Sequence, residues 1–451
     1  MSFQLTANYI KNIEQLIANK DEIALKNVLN EVHFADIAEL LDELKPSDAT
    51  YLIKLLESEI TSEVLMELDE DVREKILDNL SPKEIAKELE EMDTDDAADV
   101  VAELDEDIQQ KVIDKIEDEE HASDIVELLK YDDDTAGALM AKELVQVKET
   151  WTIAGCVREM RRQAENVTRV HSIYVTNNDG KLIGRLSLKD LLTAQTNAHI
   201  SDIFIPKVDY VTVQTENEEV ARIMQKYDLE AIPVVDEEGI LVGRITIDDI
   251  VDFIKDEAEK DYQMAAGISQ DVEADDSIFE LTKARLPWLI LGLFGGLASV
   301  FILQDFESIM HDPQIKALFF FTPLIAAMAG NVGVQSSAII VQGLANDVVK
   351  GSLWNRLVKE VGLSLINGIV LGALVIIFGM IMDYTIAFSL TIAISLLSVI
   401  IIAALIGTFV PIILDKKGID PAIATGPFIT TSNDIFGIFL FFYIAKLILH
   451  F

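Results

Sequence analysis

Gly426–Phe451 reads GPFITTSNDIFGIFLFFYIAKLILHF, an apolar stretch whose only acidic or strongly basic side chains are Asp434 and Lys446. A membrane-spanning helix needs about 20 mostly apolar residues, because the hydrocarbon core of a bilayer is about 30 Å thick. Four uncharged stretches precede it: Leu286–Leu303, Ala317–Asn346, Val361–Met382 and Tyr384–Leu414. The sequence therefore predicts an α-helical membrane domain of five spans over residues 285–451.

Lysine and arginine predict the orientation of these spans, since both are enriched in cytoplasmic segments. With the N-terminal region inside, the inner segments hold Lys283, Arg285, Lys350, Arg356, Lys359, Lys416 and Lys417, whereas the outer connections hold Lys316 beside acidic residues. We therefore expect a multi-pass protein of the cell (inner) membrane, embedded in the lipid bilayer. Its N-terminus is expected in the cytoplasm and its C-terminus outside.

Polar side chains within the spans mark candidate functional positions. Asp434 lies in the fifth span, where an aspartate costs about 2.5–3.5 kcal/mol to insert. This cost favours a functional role over a structural pair with a neighbouring hydroxyl or amide. The second span contains GNVGVQSS at residues 330–337. Small and amide residues also mediate helix packing, so both interpretations stay open for this segment.

Acidic residues are concentrated in the rest of the chain. The 451 residues carry 77 Asp and Glu against 36 Lys and Arg, a formal net charge of −41. Residues 1–284 hold 68 acids and 28 bases, and residues 285–451 hold 9 and 8. Such a charge repels phosphate backbones, so no nucleic-acid partner is expected. The single cysteine, Cys156, excludes an intramolecular disulfide framework and a cysteine-rich metal site.

A tandem repeat occupies the middle of the chain. His171–Leu192 (HSIYVTNNDGKLIGRLSLKDLL) aligns without gaps with Glu230–Val251 (EAIPVVDEEGILVGRITIDDIV). Each copy predicts two strands joined by a glycine-containing turn, then a helix that Ser187 or Thr246 caps. The motif Gly-x-x-(Ser/Thr)-x-x-Asp occurs at residues 184–190 and 243–249. Here the sequence resembles a pair of cystathionine-β-synthase (CBS) domains, which implies an α/β regulatory module that often binds an adenosine nucleotide.

Residues 1–137 predict an all-α domain. They carry 40 acids and 12 bases, and their apolar residues recur at helical spacing, as in Ile85-Ala86-x-x-Leu89-x-x-Met92 after Ser81-Pro82. Short amphipathic helices stacked in a superhelix fit this pattern best. The segment Asp132–Glu143 resembles a calcium-binding EF-hand loop, but an alanine stands at the fifth loop position, so we do not favour an EF-hand.

Clusters of aspartates suggest a role for divalent cations. Asp93-Thr94-Asp95-Asp96-x-x-Asp99 and Asp248-Asp249-x-x-Asp252 each project several carboxylates from one or two helical turns. Most of the acids form a solvated surface, yet two acidic faces repel each other unless a cation lies between them. Mg²⁺ suits such a position because it keeps most of its water and binds one or two carboxylates.

The whole chain resembles the MgtE family of magnesium channels. The resemblance rests on Asp134-Thr135-Ala136-Gly137-x-Leu139-Met140, Gly330-Asn331-x-Gly333-x-Gln335-Ser336 and Asp420-Pro421-Ala422-x-x-x-Gly426-Pro427-x-x-Thr430-Thr431-x-x-Asp434. It implies five parts: an acidic helical N domain (1–137), CBS 1 (138–200), the core of CBS 2 (201–246), the end of CBS 2 with a connecting plug helix from 247 to about 270 (247–284), and the membrane domain (285–451).

The resemblance also implies a function. The chain would be a homodimeric Mg²⁺ channel in which Asp434 binds the hydrated ion, while Gly330, Asn331 and the Ala424–Gly426 loop line its entrance. Cytoplasmic Mg²⁺ would close it by binding Asp228, Asp249, Asp252, Glu257, Asp261 and Asp420, and also Asp93, Asp96 and Asp99. ATP is a further expected regulatory ligand, and its candidate residues are Ser187, Lys189 and Asp190.

Two other classes are weaker interpretations. A membrane receptor could sense a ligand without conducting ions, and flux into proteoliposomes separates the two. An anion channel with CBS domains is disfavoured by the aspartate in the fifth span. No residue pattern supports an enzyme: the six histidines are scattered, and no phosphate-binding glycine loop is present.

Overall fold

The structure, a computed structural model, describes residues 5–163, 170, 172–195, 198–269, 272, 274, 276–307, 316–345, 349, 352–424 and 426–450. The chain forms two compact units, Met1–Ile254 and Lys255–Phe451. Each unit is described separately below.

The first unit begins with short helices. Their bounds are α1 Ala7–Ala18, α2 Glu22–Leu29, α3 Phe34–Asp42, α4 Pro46–Ile53, α5 Ser58–Glu67, α6 Glu70–Leu77, α7 Pro82–Leu89, α8 Thr94–Glu103, α9 Glu106–Ile113 and α10 Glu119–Leu128. Helices two apart in the sequence pack together along the run from α3 to α10. This stacking around a core of buried Leu, Ile and Val confirms the predicted superhelix.

Local sequence explains where these helices begin. The Ser81 hydroxyl accepts from the amide of Glu84, whose carboxylate accepts in turn from the amide of Ser81, and Pro82 occupies the first turn. This reciprocal capping satisfies amides that have no partner within the helix. The sequence LDEDVREKIL at Leu68–Leu77 recurs as LDEDIQQKVI at Leu104–Ile113, and each copy starts α6 or α9 after an extended residue.

A buried ion pair links α6 to α8. Arg73 donates from Nε to Glu103 at 2.9 Å and from Nη1 to the carbonyl of Leu65 at 3.1 Å. Its side chain is almost completely buried, so these contacts replace the water that the guanidinium loses.

Two small α/β modules complete the first unit. Their elements are β1 Val145–Lys148, α11 Ile153–Gln163, β2 Ile173–Thr176, β3 Leu182–Leu186 and α12 Leu188–Thr193 in one, and β4 Val211–Thr212, α13 Asn217–Tyr227, β5 Ala231–Val235 and β6 Leu241–Thr246 in the other. In both sheets the first pair of strands is parallel and the second antiparallel, with orders β1-β2-β3 and β4-β5-β6. The sequence repeat is therefore also a structural repeat.

Ser187 and Thr246 both stand directly before the helices that they were predicted to begin. Ser187 stands at the N-cap of α12 but makes no side-chain capping hydrogen bond. Thr246 is the last residue of β6, and its amide and hydroxyl donate to Asp249 Oδ2 at 2.9 and 2.6 Å. The threonine thus orients a carboxylate of the following helix.

The connecting helix α14 runs from Ile247 to Ala266. It is shorter than the predicted helix to residue 270, because the chain turns at Gly267 with a φ of 81°. Residue 270 lies outside the described residues. Within the second unit, a Cβ on Gly267 would lie 2.3 Å from Pro427, so the end of α14 packs directly on the start of the last helix.

The second unit contains five helices that are long and apolar enough to cross a membrane. They are α15 Ile278–Asp305, α16 Thr322–Ala345 with a preceding 3₁₀ turn at Ala317–Phe321, α17 Leu353–Ile381, α18 Ile386–Asp415 and α19 Gly426–Leu449. These helices confirm the five predicted spans. Helices α16, α18 and α19 pack on one another, α17 packs on α18, and α15 packs on α19.

Candidate ion pathway and acidic cluster

A cleft of about 410 Å³ lies between α16 and α19. It is lined by Ala326, Ala327, Gly330, Asn331, Val334, Gln335, Thr430 and Asp434. Asp434 and Thr430 lie four residues apart on one face of α19. The structure therefore brings together three predicted pore residues, Asp434, Gly330 and Asn331, from spans that are distant in sequence.

Gly330 allows the two helices to approach at the carboxylate. A Cβ on Gly330 would lie 3.1 Å from Thr430 Cγ2 and 3.6 Å from Asp434 Oδ1. A larger side chain would fill the cleft in front of Asp434. Within the described part of the chain, no basic side chain pairs with this half-buried carboxylate.

The cleft has the chemistry and the size for a hydrated divalent cation. Its polar groups are carboxylate, amide and hydroxyl oxygens, which Mg²⁺ prefers as ligands. Six waters at about 30 Å³ each occupy about 180 Å³, so the cleft can hold an ion with its first hydration shell. Ala424, a further predicted pore residue, ends the 3₁₀ turn Pro421–Ala424 before α19, and residue 425 lies outside the described residues.

Buried polar side chains lie behind the cleft. The amide of Asn433 is 1 % exposed, and neither of its polar atoms has a hydrogen-bond partner among the described residues. An unsatisfied buried polar group costs about 1–3 kcal/mol. Ser336 on α16 donates to Glu360 on α17 at 2.6 Å.

The second candidate site is a buried acidic cluster in the first unit. Asp95, Asp96 and Asp99 on α8 lie close enough to Asp249 at the start of α14 for their charges to interact. Burial and then the charge of Asp249 raise the pKa of Asp96 to about 8. Burial also raises the pKa of Asp99 to about 6, despite the nearby Arg73. These raised pKa values indicate that several carboxyl groups are buried together and that nearby positive charge does not balance them.

The cluster is not a preformed coordination shell. Among the described residues, no three Asp, Glu, His or Cys side chains converge closely enough to hold a metal ion. Asp93, which is also a predicted ligand, accepts from Arg244 Nη2 at 3.2 Å. A cation at this cluster would therefore bind through its water shell or after small side-chain movements.

Glu143 fixes the start of α8 from outside the helical region. Its Oε2 accepts from the Thr94 amide at 3.1 Å and from the Thr94 hydroxyl at 2.9 Å, and the Lys142 amide donates to that hydroxyl at 2.8 Å. The side chain of Asp93, the N-cap residue, makes no capping hydrogen bond. A residue of the segment before β1 thus supplies the cap that the local sequence lacks.

The remaining predicted ligands are spread over several elements. Asp228 ends α13 in a left-handed conformation with φ 53°. Asp252, Glu257 and Asp261 lie along α14. Asp420 accepts from the Ala422 amide at 2.7 Å and caps the 3₁₀ turn before α19. Ser187, Lys189 and Asp190 lie at the beginning of α12.

Sequence reasoning missed four residues of these sites. Thr430 belongs to the motif that runs from Asp420 to Asp434. Its position four residues before Asp434 is the signal that could have indicated a role in the cleft. Asp95 is part of the quoted aspartate cluster, and its burial is not visible in the sequence. Glu143 and Arg244 contact α8 from distant positions, and no local pattern predicts such contacts.

The fold and the cleft define a multi-pass membrane protein with an aspartate-lined cleft between its spans and a tandem CBS module. Residues 322–444 match the family model described as a divalent cation transporter, residues 32–134 match the MgtE intracellular N domain, and residues 136–197 and 200–256 match the CBS domain.

Curated relatives agree with this class. The chain is 34% identical over 443 residues to the magnesium transporter MgtE of Thermus thermophilus, covering 97% of this chain and 98% of the relative. It is 36% identical over 324 residues to the magnesium transporter MgtE of Bacillus subtilis, covering 72% and 71%. The chain belongs to the MgtE family of magnesium transporters, which is not a family of enzymes.

Two solved structures resemble slightly more than half of the chain. One is the cytosolic domain of the Mg²⁺ channel MgtE in complex with ATP, with a TM-score of 0.51, 36% identity and coverage of 54% of this chain and 99% of that chain. The other is the soluble part of a magnesium transporter, with a TM-score of 0.50, 29% identity and coverage of 55% and 98%.

Proposed function

We propose that this protein is a Mg²⁺-selective channel that imports magnesium down the membrane potential. The observation that carries the proposal is the Asp434 carboxylate, which faces a cleft with Gly330 and Asn331 and has no basic partner among the described residues. The membrane potential supplies about 2.3 kcal/mol per charge per 100 mV, or about twice that for a divalent ion. No ATP hydrolysis is required.

Binding of the ion with its water shell fits this chemistry. Mg²⁺ loses its inner waters reluctantly, so a carboxylate that contacts those waters gives selectivity without a large dehydration cost. Such binding is weak enough to release the ion, as conduction requires.

We also propose that the protein is a homodimer, because a single chain leaves polar residues of the cleft exposed. Asn331 and Gln335 are exposed along the cleft of a single chain. A second copy would cover them and contribute a second Asp434, which would double the negative charge at the constriction. The orientation, with the N-terminus in the cytoplasm and the C-terminus outside, follows from the distribution of Lys and Arg.

Flux into proteoliposomes tests the pore assignment. Asp434→Ala should abolish Mg²⁺ uptake while leaving folding and insertion intact. Asp415→Asn is a matched control, because Asp415 is an exposed acid at the end of α18. Normal Mg²⁺ uptake by Asp434→Ala would refute the assignment, and the absence of flux in the wild-type protein would favour a receptor.

We also propose that cytoplasmic Mg²⁺ closes the channel by binding acidic residues of the N domain, the CBS pair and the connecting helix. Support comes from the buried cluster around Asp96 and Asp249, whose raised pKa values mark charge that a cation would neutralise. Without Mg²⁺ these carboxyl groups ionise only at a cost while they are buried together, and separation of the acidic faces into water relieves that cost.

Patch recordings test this gating. Asp249→Asn and Asp252→Asn should raise the internal Mg²⁺ concentration needed for half-inhibition. Glu106→Gln serves as a control, since this acid is exposed on α9. Unchanged inhibition in the two Asp variants would contradict Mg²⁺ binding at these positions.

ATP is proposed as a regulatory ligand of the CBS pair. The structurally similar MgtE cytosolic domain was solved in complex with ATP, and Ser187, Lys189 and Asp190 are the candidate contacts in this chain. Calorimetric titration with ATP, repeated on Asp190→Ala, tests this assignment. Equal affinity for the two proteins would exclude Asp190 from the site.

A further inference from the structure

Helix α19 packs on α16 through one row of side chains. Ile429, Asn433 and Gly437 are spaced by four residues and meet α16. A Cβ on Gly333 would lie 1.8 Å from Asn433 Nδ2 and 2.8 Å from Ile429 Cγ2, and a Cβ on Gly437 would lie 3.0 Å from Ala329 Cβ. The Asn433 amide therefore lies directly against the backbone of Gly333.

Gly333 has no room to move away from this contact. A Cβ on Gly407 of α18 would lie 2.4 Å from the carbonyl oxygen of Gly333 and 3.1 Å from Ser336 Cβ. Ser336 also donates to Glu360 on α17. Helix α16 is thus held between α17, α18 and α19 at one level.

This contact fixes the direction of Asp434. Successive residues of a helix are rotated by about 100°, so the rotation of α19 that places Asn433 on Gly333 also places Asp434 in the cleft. The Asp434 carboxylate oxygen then faces the Cα of Gly330, three residues before Gly333 on α16. The two adjacent residues of α19 contact two glycines of one helix.

The amide itself is not held by hydrogen bonds. It is 1 % exposed and has no polar partner among the described residues. Its close packing against Gly333 therefore keeps the side chain in place and, together with the contacts of Ile429 and Gly437, sets the rotation of α19.

We propose that Asn433 is a positioning residue for ion selection, which acts through Gly333 to hold Asp434 over Gly330. The proposal rests on the proposed Mg²⁺ flux through the cleft. It assigns to Asn433 no contact with the ion.

The test uses the full-length protein in proteoliposomes and measures Mg²⁺ flux and the ratio of Mg²⁺ to Ca²⁺ flux. Asn433→Ala removes the contact without adding volume, and it should lower Mg²⁺ flux about tenfold and lower the ratio, because a displaced binding group loses effectiveness steeply with distance. Gly333→Ala should have the same effect by separating the helices. The double variant should recover, since the new methyl group occupies the space of the lost amide.

Controls separate this effect from misfolding. Gly362→Ala on α17 is the matched glycine substitution, because a Cβ there meets no atom within 4 Å; it should keep both readouts. A folding defect lowers the amount of active protein and leaves the flux ratio unchanged, so an unchanged ratio in Asn433→Ala would overturn the proposal. An absence of recovery in the double variant would also overturn it.

The same experiment distinguishes a failure of the proposed channel function from a failure of the proposed role of Asn433. If the wild-type protein shows no Mg²⁺ flux, the channel assignment itself is wrong. If the wild-type protein conducts Mg²⁺ and Asn433→Ala matches it in flux and ratio, only the positioning role of Asn433 is wrong.

Discussion

Glu143→Ala is the substitution that should most clearly separate the acidic helical region from the CBS pair. It removes the acceptor of two hydrogen bonds, from the Thr94 amide at 3.1 Å and the Thr94 hydroxyl at 2.9 Å. Thr94 is 1 % exposed, and the Glu143 side chain is 15 % exposed, so little water is available to replace the carboxylate.

The magnitude follows from these contacts. A hydrogen bond to a charged group contributes about 1.5–3 kcal/mol, and loss of an N-cap costs about 1 kcal/mol. The two bonds share one carboxylate and one residue, so we expect a net loss of about 2 kcal/mol in the contact between α8 and the segment before β1. This corresponds to a factor of about 30 in the population of the detached arrangement. Glu143→Gln keeps an acceptor oxygen and should cost about half as much.

Hydrogen exchange in the full-length protein without Mg²⁺ measures the effect. The amides of Thr94 and the following turn of α8 should exchange faster in Glu143→Ala, and half-inhibition of Mg²⁺ flux should require more internal Mg²⁺. Glu119→Ala is the control, because Glu119 is an exposed acid in the first turn of α10. If the Thr94 amide exchanges at the wild-type rate, Glu143 does not hold α8.

Three further predictions concern stability. The pKa values of Asp96 (about 8) and Asp99 (about 6) are raised in the folded chain, so the folded state keeps protons that the unfolded state releases. Thermal unfolding without Mg²⁺ should therefore occur several degrees lower at pH 8.5 than at pH 5.5. An unfolding temperature that rises with pH would contradict this prediction. Gly184→Ala places a Cβ 2.3 Å from the carbonyl oxygen of Ile205 and should destabilise the CBS pair by about 1–3 kcal/mol in urea unfolding. Arg73→Met leaves the largely buried Glu103 carboxylate without its ion-pair partner and should lower the free energy of unfolding by about 3 kcal/mol. If the variant is as stable as the wild-type protein, the ion pair makes no net contribution to stability.

The architecture could be predicted from the sequence because its signals are local. Uncharged stretches of span length gave the five membrane helices, and the gap-free repeat gave two equivalent α/β modules. Ser81 and Pro82 predicted the start of α7 because capping depends on neighbouring residues alone. These features depend on composition and spacing, which a single sequence contains.

The contacts within the sites could not be predicted in the same way. The Asp93 carboxylate accepts from Arg244 of β6 at 3.2 Å, a contact that was not predicted, and its role as a metal ligand stays a prediction. Thr246 directly precedes α14, as predicted, and both its amide and its hydroxyl donate to Asp249 in the first turn. The Arg244–Asp93 contact joins residues 151 positions apart, which meet only after the chain folds, so it has no local signature.

The support of α8 by Glu143 has a consequence for engineering chimaeras. A fragment that stops at residue 137 would lose the Glu143 carboxylate, which accepts from the Thr94 amide and hydroxyl, and the first turn of α8 would fray. A chimaera that exchanges the N-terminal helical domain between relatives should therefore include residues 138–143 together with the helices of residues 1–137. A cut at residue 137 would weaken the start of α8 even if every aspartate of that helix were retained.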